Sequence, residues 1–254
     1  MRALYDFSRQ LACFNIAEWL VCAKTLGAES VVFDMRMIRT KKWPYPVIMK
    51  RIESICLPMP ALAGLPHETV TTGLEPRGVE IGKANGKMLV EFWNSYGKIE
   101  RLKSVSKPQH ERYTVTLRNT ERSPLRNSDE RVWRDFAAEI GARVIPDYAV
   151  EPIHLHDRMA LYAGAEMNFF VSNGPGVLCS LSEYPGMMFN AHHALGSYQN
   201  DGMGGWGCQY PWSTERFRLV WEEATPENLR RHFYHWRKTG GWLAPPPEPI
   251  APAA

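Results

Sequence analysis

The chain has 254 residues, enough for one large α/β domain or two small ones with full apolar cores. Hydrophobic residues make up 44% and charged residues 22%, and no apolar run approaches the ~20 residues of a membrane span, which excludes a membrane-spanning class. A net charge of +3 and a pI of about 8.6 favour an anionic ligand but do not by themselves mark a nucleic-acid-binding protein.

The opening Arg2–Phe7 reads as a short strand, and the first residues lack the apolar run of a secretory signal, so the expected location is the cytoplasm. Phe14 to Leu26 places apolar residues at helical spacing and ends at Gly27. Ser30–Asp34, SVVFD, has the continuous β-branched and aromatic character of a parallel strand buried on both faces, which completes a βαβ unit. The Pro-rich stretch from Lys41 to Pro66 contains one short strand-like run, Ile52–Leu57, and Ile81–Tyr96 reads as a helix.

A linker over Val105–Glu111 leads to the alternating strand Tyr113–Arg118 and a polar loop. Helix Glu130–Ile140, strand Ala142–Ile145 and helix His156–Ala165 follow. The apolar strand Met167–Ser172 then runs into Asn173, Gly174, Pro175 and Gly176, after which a helix is expected from Val177. Beyond Phe189 comes a Gly- and Trp-rich loop, Gly196–Trp212, then a strand-like Phe217–Trp221 and helix Pro226–Lys238. The expected division is 1–108, 109–243 and a disordered Pro/Ala tail over 244–254. The fold class is α/β: two Rossmann-like domains with mostly parallel sheets and a cleft between them.

Ligands of such sheets bind beyond the carboxyl ends of the strands, where Arg118, Asp147 and Asn173 are expected to lie. Gly174 and Gly176 permit close backbone approach, and the following helix offers unpaired N–H groups and a positive dipole end to an anion such as a diphosphate. Arg118, Arg122 and Arg126 fall within nine residues, and the guanidinium fork grasps phosphate oxygens bidentately. Asp6 and Asp34, ending the first two strands, are the candidate acid–base carboxylates. Walker and GxSxG motifs are absent, and no GxGxxG follows a predicted strand. Five cysteines without a CxxC pair, and histidine pairs without HExxH, give no expectation of disulfides or a metal site.

The segments Val115–Asp147 and His156–Phe189, about a quarter of the chain, resemble the second domain of two-Rossmann-domain (GT-B) glycosyltransferases of the fucosyltransferase-like and heptosyltransferase-like kind. That resemblance implies metal-independent transfer of a sugar from a nucleotide diphosphate donor, with no cofactor beyond the donor itself. It implies that Arg118 and the run Ser172, Asn173, Gly174, Pro175 and Gly176 contact the diphosphate, with Asn119 and Arg122 beside Arg118 and Asp147 near the nucleoside. It implies that the YDFSRQ segment faces an acceptor, a glycan or DNA, and that helix Pro226–Lys238 crosses back to the first domain. Where fucosyltransferases of this kind carry an Arg-Arg pair, this chain has Arg118 and Asn119. Two rival classes remain: a nucleic-acid-binding protein using basic runs such as Ile38–Trp43 and Arg230–Lys238, and a nucleotide-binding module without catalysis.

Overall fold

The computed structural model describes residues 1–40, 43–74, 76–120, 124–147 and 153–248. Strand β1 (Arg2–Asp6) leads through α1 (Ile16–Thr25) to β2 (Ser30–Asp34), and the two strands pair in parallel from Arg2↔Ser30 to Asp6↔Asp34. Helix α2 (Tyr45–Arg51), α3 (Met59–Leu62), β3 (His67–Val70), β4 (Val79–Glu80) and α4 (Gly86–Tyr96) complete the first unit. Its sheet has the parallel order β3-β2-β1-β4. The alternation of buried strand and amphipathic helix dictates this: a parallel neighbour is reached only through a crossover.

The second unit runs β5 (Tyr113–Thr116), α5 (Glu130–Ile140), β6 (Arg143–Ile145), α6 (Leu155–Gly164), β7 (Met167–Val171), α7 (Gly174–Ser182), β8 (Gly186–Phe189), α8 (Leu195–Asn200), β9 (Phe217–Leu219) and α9 (Pro226–Thr239). All its strand pairs are parallel, in the order β6-β5-β7-β8-β9. From β5 the chain goes to β6 on one side and later to β7 on the other, so the strand order reverses between β5 and β7. In open α/β sheets that reversal opens a crevice beyond the strands' carboxyl ends.

No strand pair joins the two sheets among the described residues, yet the apolar core does. One buried cluster contains Tyr5, Trp19 and Phe33 from the first unit together with Ile145, Met159, Phe170 and Leu178 from the second. The connection between the sheets is packed: Leu102 N–H donates to Leu181 O, Ser104 N–H to the Tyr184 hydroxyl and Gln109 N–H to Ala160 O. A second cluster, with Tyr113, Trp133, Phe169 and Phe189, fills the far side of the second sheet.

Several elements differ from the sequence reading. Ile52–Cys56 is a π-helical turn continuing α2, not a strand, because Ile48, Ile52, Ile55, Cys56 and Met59 recur at helical spacing and are all buried. The Gly/Trp-rich stretch, read as one long loop, begins in helix α8, and its aromatic side chains are packed. Tyr210 stacks on Trp212 at 5.0 Å, and Trp206 packs on Trp221 at 5.3 Å. The tail is engaged as far as it is described: Trp206 Nε1 donates to Pro246 O at 2.7 Å, while residues 249–254 lie outside the described residues. Helix α9 buries Leu229 and Phe233 in the core of its own sheet, and so covers that sheet where the resemblance implied a crossing back to the first unit.

Candidate functional site

A cleft of about 980 Å³ opens where the two units meet. The first unit contributes the turn Leu11–Asn15, Trp43, Arg51 and Lys83–Asn85; the second contributes Arg118, Thr120, Pro124–Arg126, Gly174, His193 and Ser197. A smaller cavity of about 170 Å³ continues it inward between Leu117, Asp147, Arg158 and Asn173–Pro175, sharing Phe14, Arg51, Arg118, Thr120 and Gly174 with the larger one. Both lie at the carboxyl ends of β5 and β7, which the register Thr116↔Phe170 sets side by side.

Arg118 follows β5 and is 8% exposed. Its guanidinium Nη1 donates to Asn127 Oδ1 at 3.0 Å, and its backbone N–H donates to Ser128 Oγ at 3.0 Å. Burial, with Arg126 adding to it and Asp147 opposing, pushes the guanidinium down to about 10, so it remains cationic at neutral pH. Asn127 also accepts from Thr120 N–H and donates back to Thr120 O, which closes the loop after β5 into a fixed frame. Asp147, after β6, accepts from Asn119 N–H at 3.0 Å and thereby ties that loop to the next strand end. Arg122 lies outside the described residues.

The turn after β7 enters α7 earlier than Val177. Asn173 is the cap: its Oδ1 accepts from Gly176 N–H at 2.8 Å, and Pro175 occupies the first turn. Proline has no N–H and Gly176 gives its own to the cap, so Gly174 alone among the first three helical residues keeps an amide for a ligand. Gly174 makes room for protein as well: a Cβ there would stand 2.6–2.8 Å from the Phe14 side chain across the cleft. Gly176 is buried, with Met188 against it, and Ser172 is buried with its hydroxyl 3.3 Å from that of Tyr198. These two support the turn without lining either cavity.

Arg158, on α6, was not legible as a site residue. It is fully buried and lines the inner cavity. Its Nη1 donates to the Tyr162 hydroxyl at 3.1 Å and Nη2 reaches Pro146 O at 3.4 Å, while Nε has no partner and no carboxylate pairs with it among the described residues. Arg51 adds another cation: its Nε donates to Ala12 O at 2.7 Å and its guanidinium lies 4.5 Å from the Trp43 ring centre. Arg126 Nε is buried without a hydrogen-bond partner. No carboxylate is among the described lining residues of the large cleft. Arg118 and Arg158 are buried while Arg51 and Arg126 are half-buried, and cations held in or near the protein interior attract an anion more strongly than surface lysines do.

The two candidate acid–base aspartates are occupied elsewhere. Asp6 accepts from Ser8 N–H at 2.8 Å and pairs with Arg9 at 3.4 Å. Asp34 is held bidentately by Arg36 at 3.0 and 2.7 Å, a partnership that lowers its carboxyl below the usual range. Neither lines either cavity. The basic run on α9 is likewise engaged: Arg230 pairs with Glu139 at 2.8 Å, Arg231 pairs with Glu222, and His232 is buried with Nε2 3.0 Å from Glu222 Oε1. In the other basic run, Lys41 and Lys42 lie outside the described residues.

No described helix is long and apolar enough to cross a membrane. No protein-family model matches the chain, and no curated protein matches it. Among solved structures, the chain is similar to E. coli heptosyltransferase WaaC with ADP, at a TM-score of 0.44 and 13% sequence identity over 92% of this chain and 99% of that one.

Proposed function

We propose that the chain is a glycosyltransferase of the GT-B kind, holding the diphosphate of a nucleotide sugar in this cleft and passing the sugar to an acceptor hydroxyl. The observation that carries the reading is the convergence of Arg118 and the buried Arg158 with the Gly174 amide at the strand-order reversal, on a wall that also carries Arg51 and Arg126. A diphosphate leaving group develops charge as the glycosidic bond breaks, and preorganised cations in a dry site stabilise that charge most. Arginine supplies this without a metal ion at the phosphates.

In this reading the inner cavity takes the phosphates, and the outer cleft, walled by Phe14 and Trp43, takes the sugar and acceptor. The reading rests on leaving-group stabilisation, because the geometry gives neither Asp6 nor Asp34 a place on the cleft wall.

A thermal-shift panel of UDP-, GDP-, ADP- and CMP-linked sugars tests it. A ligand at a hundredfold excess over its Kd adds about 2.7 kcal/mol of stability, or a rise of about 5–10 °C for a chain of this size. The expected result is such a rise with one nucleotide class, followed by acceptor-dependent release of the nucleoside diphosphate. Equal melting temperatures across the whole panel would overturn the reading.

A further inference from the structure

At the rim of the cleft, two segments distant in sequence bring three metal-ligating side chains together. His192 and His193 occupy the 3₁₀ turn Ala191–Ala194 after β8, and Glu223 lies beyond the end of β9. One ligand atom from each of the three lies within 4.8 Å of the others, and His192 Nε2 is 4.0 Å from Glu223 Oε1. The centres of the two imidazole rings are 4.0 Å apart, with the ring planes tilted at 44°. His192 Nδ1 is buried without a hydrogen-bond partner, so this imidazole is not committed to the protein's own hydrogen bonding through that atom.

The backbone beneath the cluster is braced. Asn190 adopts a left-handed conformation, φ +59°, that a non-glycine residue seldom takes. From it, Asn190 N–H donates to Glu222 O at 3.1 Å and its side-chain Oδ1 accepts from Ala224 N–H at 2.8 Å, so one residue clamps both neighbours of Glu223. Ala191 N–H adds a bond to Val220 O at 3.2 Å. The backbone that carries the histidines and the glutamate is therefore one braced corner.

We propose that His192, His193 and Glu223 bind one divalent transition-metal ion, with its remaining coordination position open toward the cleft that His193 lines. Two imidazoles and a carboxylate form the ligand set of open zinc sites, and they suit cobalt and nickel as well. Donor atoms around a tetrahedral zinc stand about 3.3 Å apart, so small side-chain rotations close the observed spacing. The open position takes water or an oxygen of the molecule occupying the cleft. The proposal is independent of the glycosyl-transfer reading, since it involves neither Arg118 nor Arg158.

The test is calorimetric titration of tag-free, chelator-treated protein with Zn²⁺, accompanied by the visible absorption of the Co²⁺ form. One ion per chain is expected. His193→Ala and Glu223→Gln should each weaken it by at least the roughly ten- to hundredfold that even outer-shell changes cost. His154→Ala, altering a histidine pair elsewhere on the surface, should leave affinity unchanged, and far-UV circular dichroism should confirm that every variant is folded. Absence of a stoichiometric site, or equal Zn²⁺ affinity in the parent and both ligand variants, overturns the proposal. Nucleotide binding measured with and without Zn²⁺ reports separately on the arginine site.

Discussion

The Arg158 guanidinium donates to the Tyr162 hydroxyl at 3.1 Å, and that hydroxyl lies 3.0 Å from Thr116 Oγ1 on β5. The shorter of the two hydrogen bonds that this fully buried cation makes to described residues is thus with a neutral phenol, which satisfies a hydrogen bond without balancing the charge. A buried ion without a counter-ion costs several kcal/mol, and the cost is offset when an anion enters the adjoining cavity.

Arg158→Met should therefore have opposite effects on stability and on binding. Removing this buried charge, which pairs with no carboxylate among the described residues, should raise the melting temperature of the ligand-free protein or leave it unchanged, while nucleoside diphosphate affinity falls about ten- to hundredfold, the equivalent of about 1.5–3 kcal/mol. Differential scanning calorimetry and titration on the same preparation decide it. A less stable protein with unaltered affinity would make Arg158 a structural residue.

Arg118 is held differently, its fork partly occupied by Asn127. Arg118→Ala should weaken nucleotide binding by about one to two orders of magnitude in folded protein. Arg118→Lys should restore little of this, because a point charge cannot both hold Asn127 and meet a phosphate edge. Full recovery in the lysine variant would show that net charge, not the fork, is what the site uses.

The two glycines of the turn after β7 should respond unequally. At Gly174 an added Cβ meets Phe14 at its Cβ and ring, 2.6–2.8 Å away, so alanine there presses the two units apart. At Gly176 the nearest obstacle is the terminal methyl of Met188, which can rotate away. Gly174→Ala should destabilise by about 1–3 kcal/mol and reduce nucleotide affinity, whereas Gly176→Ala should cost less on both counts. Denaturant unfolding of the two variants beside the parent gives the ranking, and the reverse order would show that Phe14 yields easily.

What could be read from the chain follows from how each element is buried. The runs SVVFD and MNFFVS are apolar on both faces because their sheets are covered on both faces, so periodicity and bounding polar residues sufficed to find β2 and β7. Arg118 and Asn173 could be placed at strand ends because one follows the alternating run YTVT and the other the apolar run MNFFVS. The run Ile52–Leu57 reads as a strand but its residues Ile52–Cys56 are helical, because a short apolar run looks the same in a buried helix. Arg158 was invisible because, within HDRMALYAGA, an arginine reads as the solvated side of a helix; only the fold reveals that α6 is buried nearly all round. Glu223 could not be joined to His192 and His193 by spacing, since it arrives from a different strand end.

The same blindness applied to Glu18, whose position on α1 gave no hint that it lies in the seam between the units. It is 8% exposed, its Oε2 has no hydrogen-bond partner, and the neighbouring acid is Asp201, just beyond α8. Burial first, and the Asp201 carboxylate second, raise the Glu18 carboxyl from 4.5 to about 8, so it is protonated at neutral pH. Burial also raises Asp201, while the Lys87 backbone N–H and the Lys87 charge oppose that shift. In the unfolded chain Glu18 ionises near its ordinary value, so the folded state holds the extra proton between about pH 4.5 and pH 8. A raised folded-state pKa contributes stability that is fully present below the unfolded value and is lost as pH rises to the folded one, at no more than about 1.4 kcal/mol per pH unit. Glu18→Gln removes this titration while keeping the side chain's size. The stability of Glu18→Gln relative to the parent should therefore climb steadily from about pH 5 to pH 8 and level off above it, as read by urea unfolding at unit pH steps. A difference that does not change with pH would mean that Glu18 finds a counter-charge or solvent in the seam, and that its carboxyl does not hold the extra proton in the folded state.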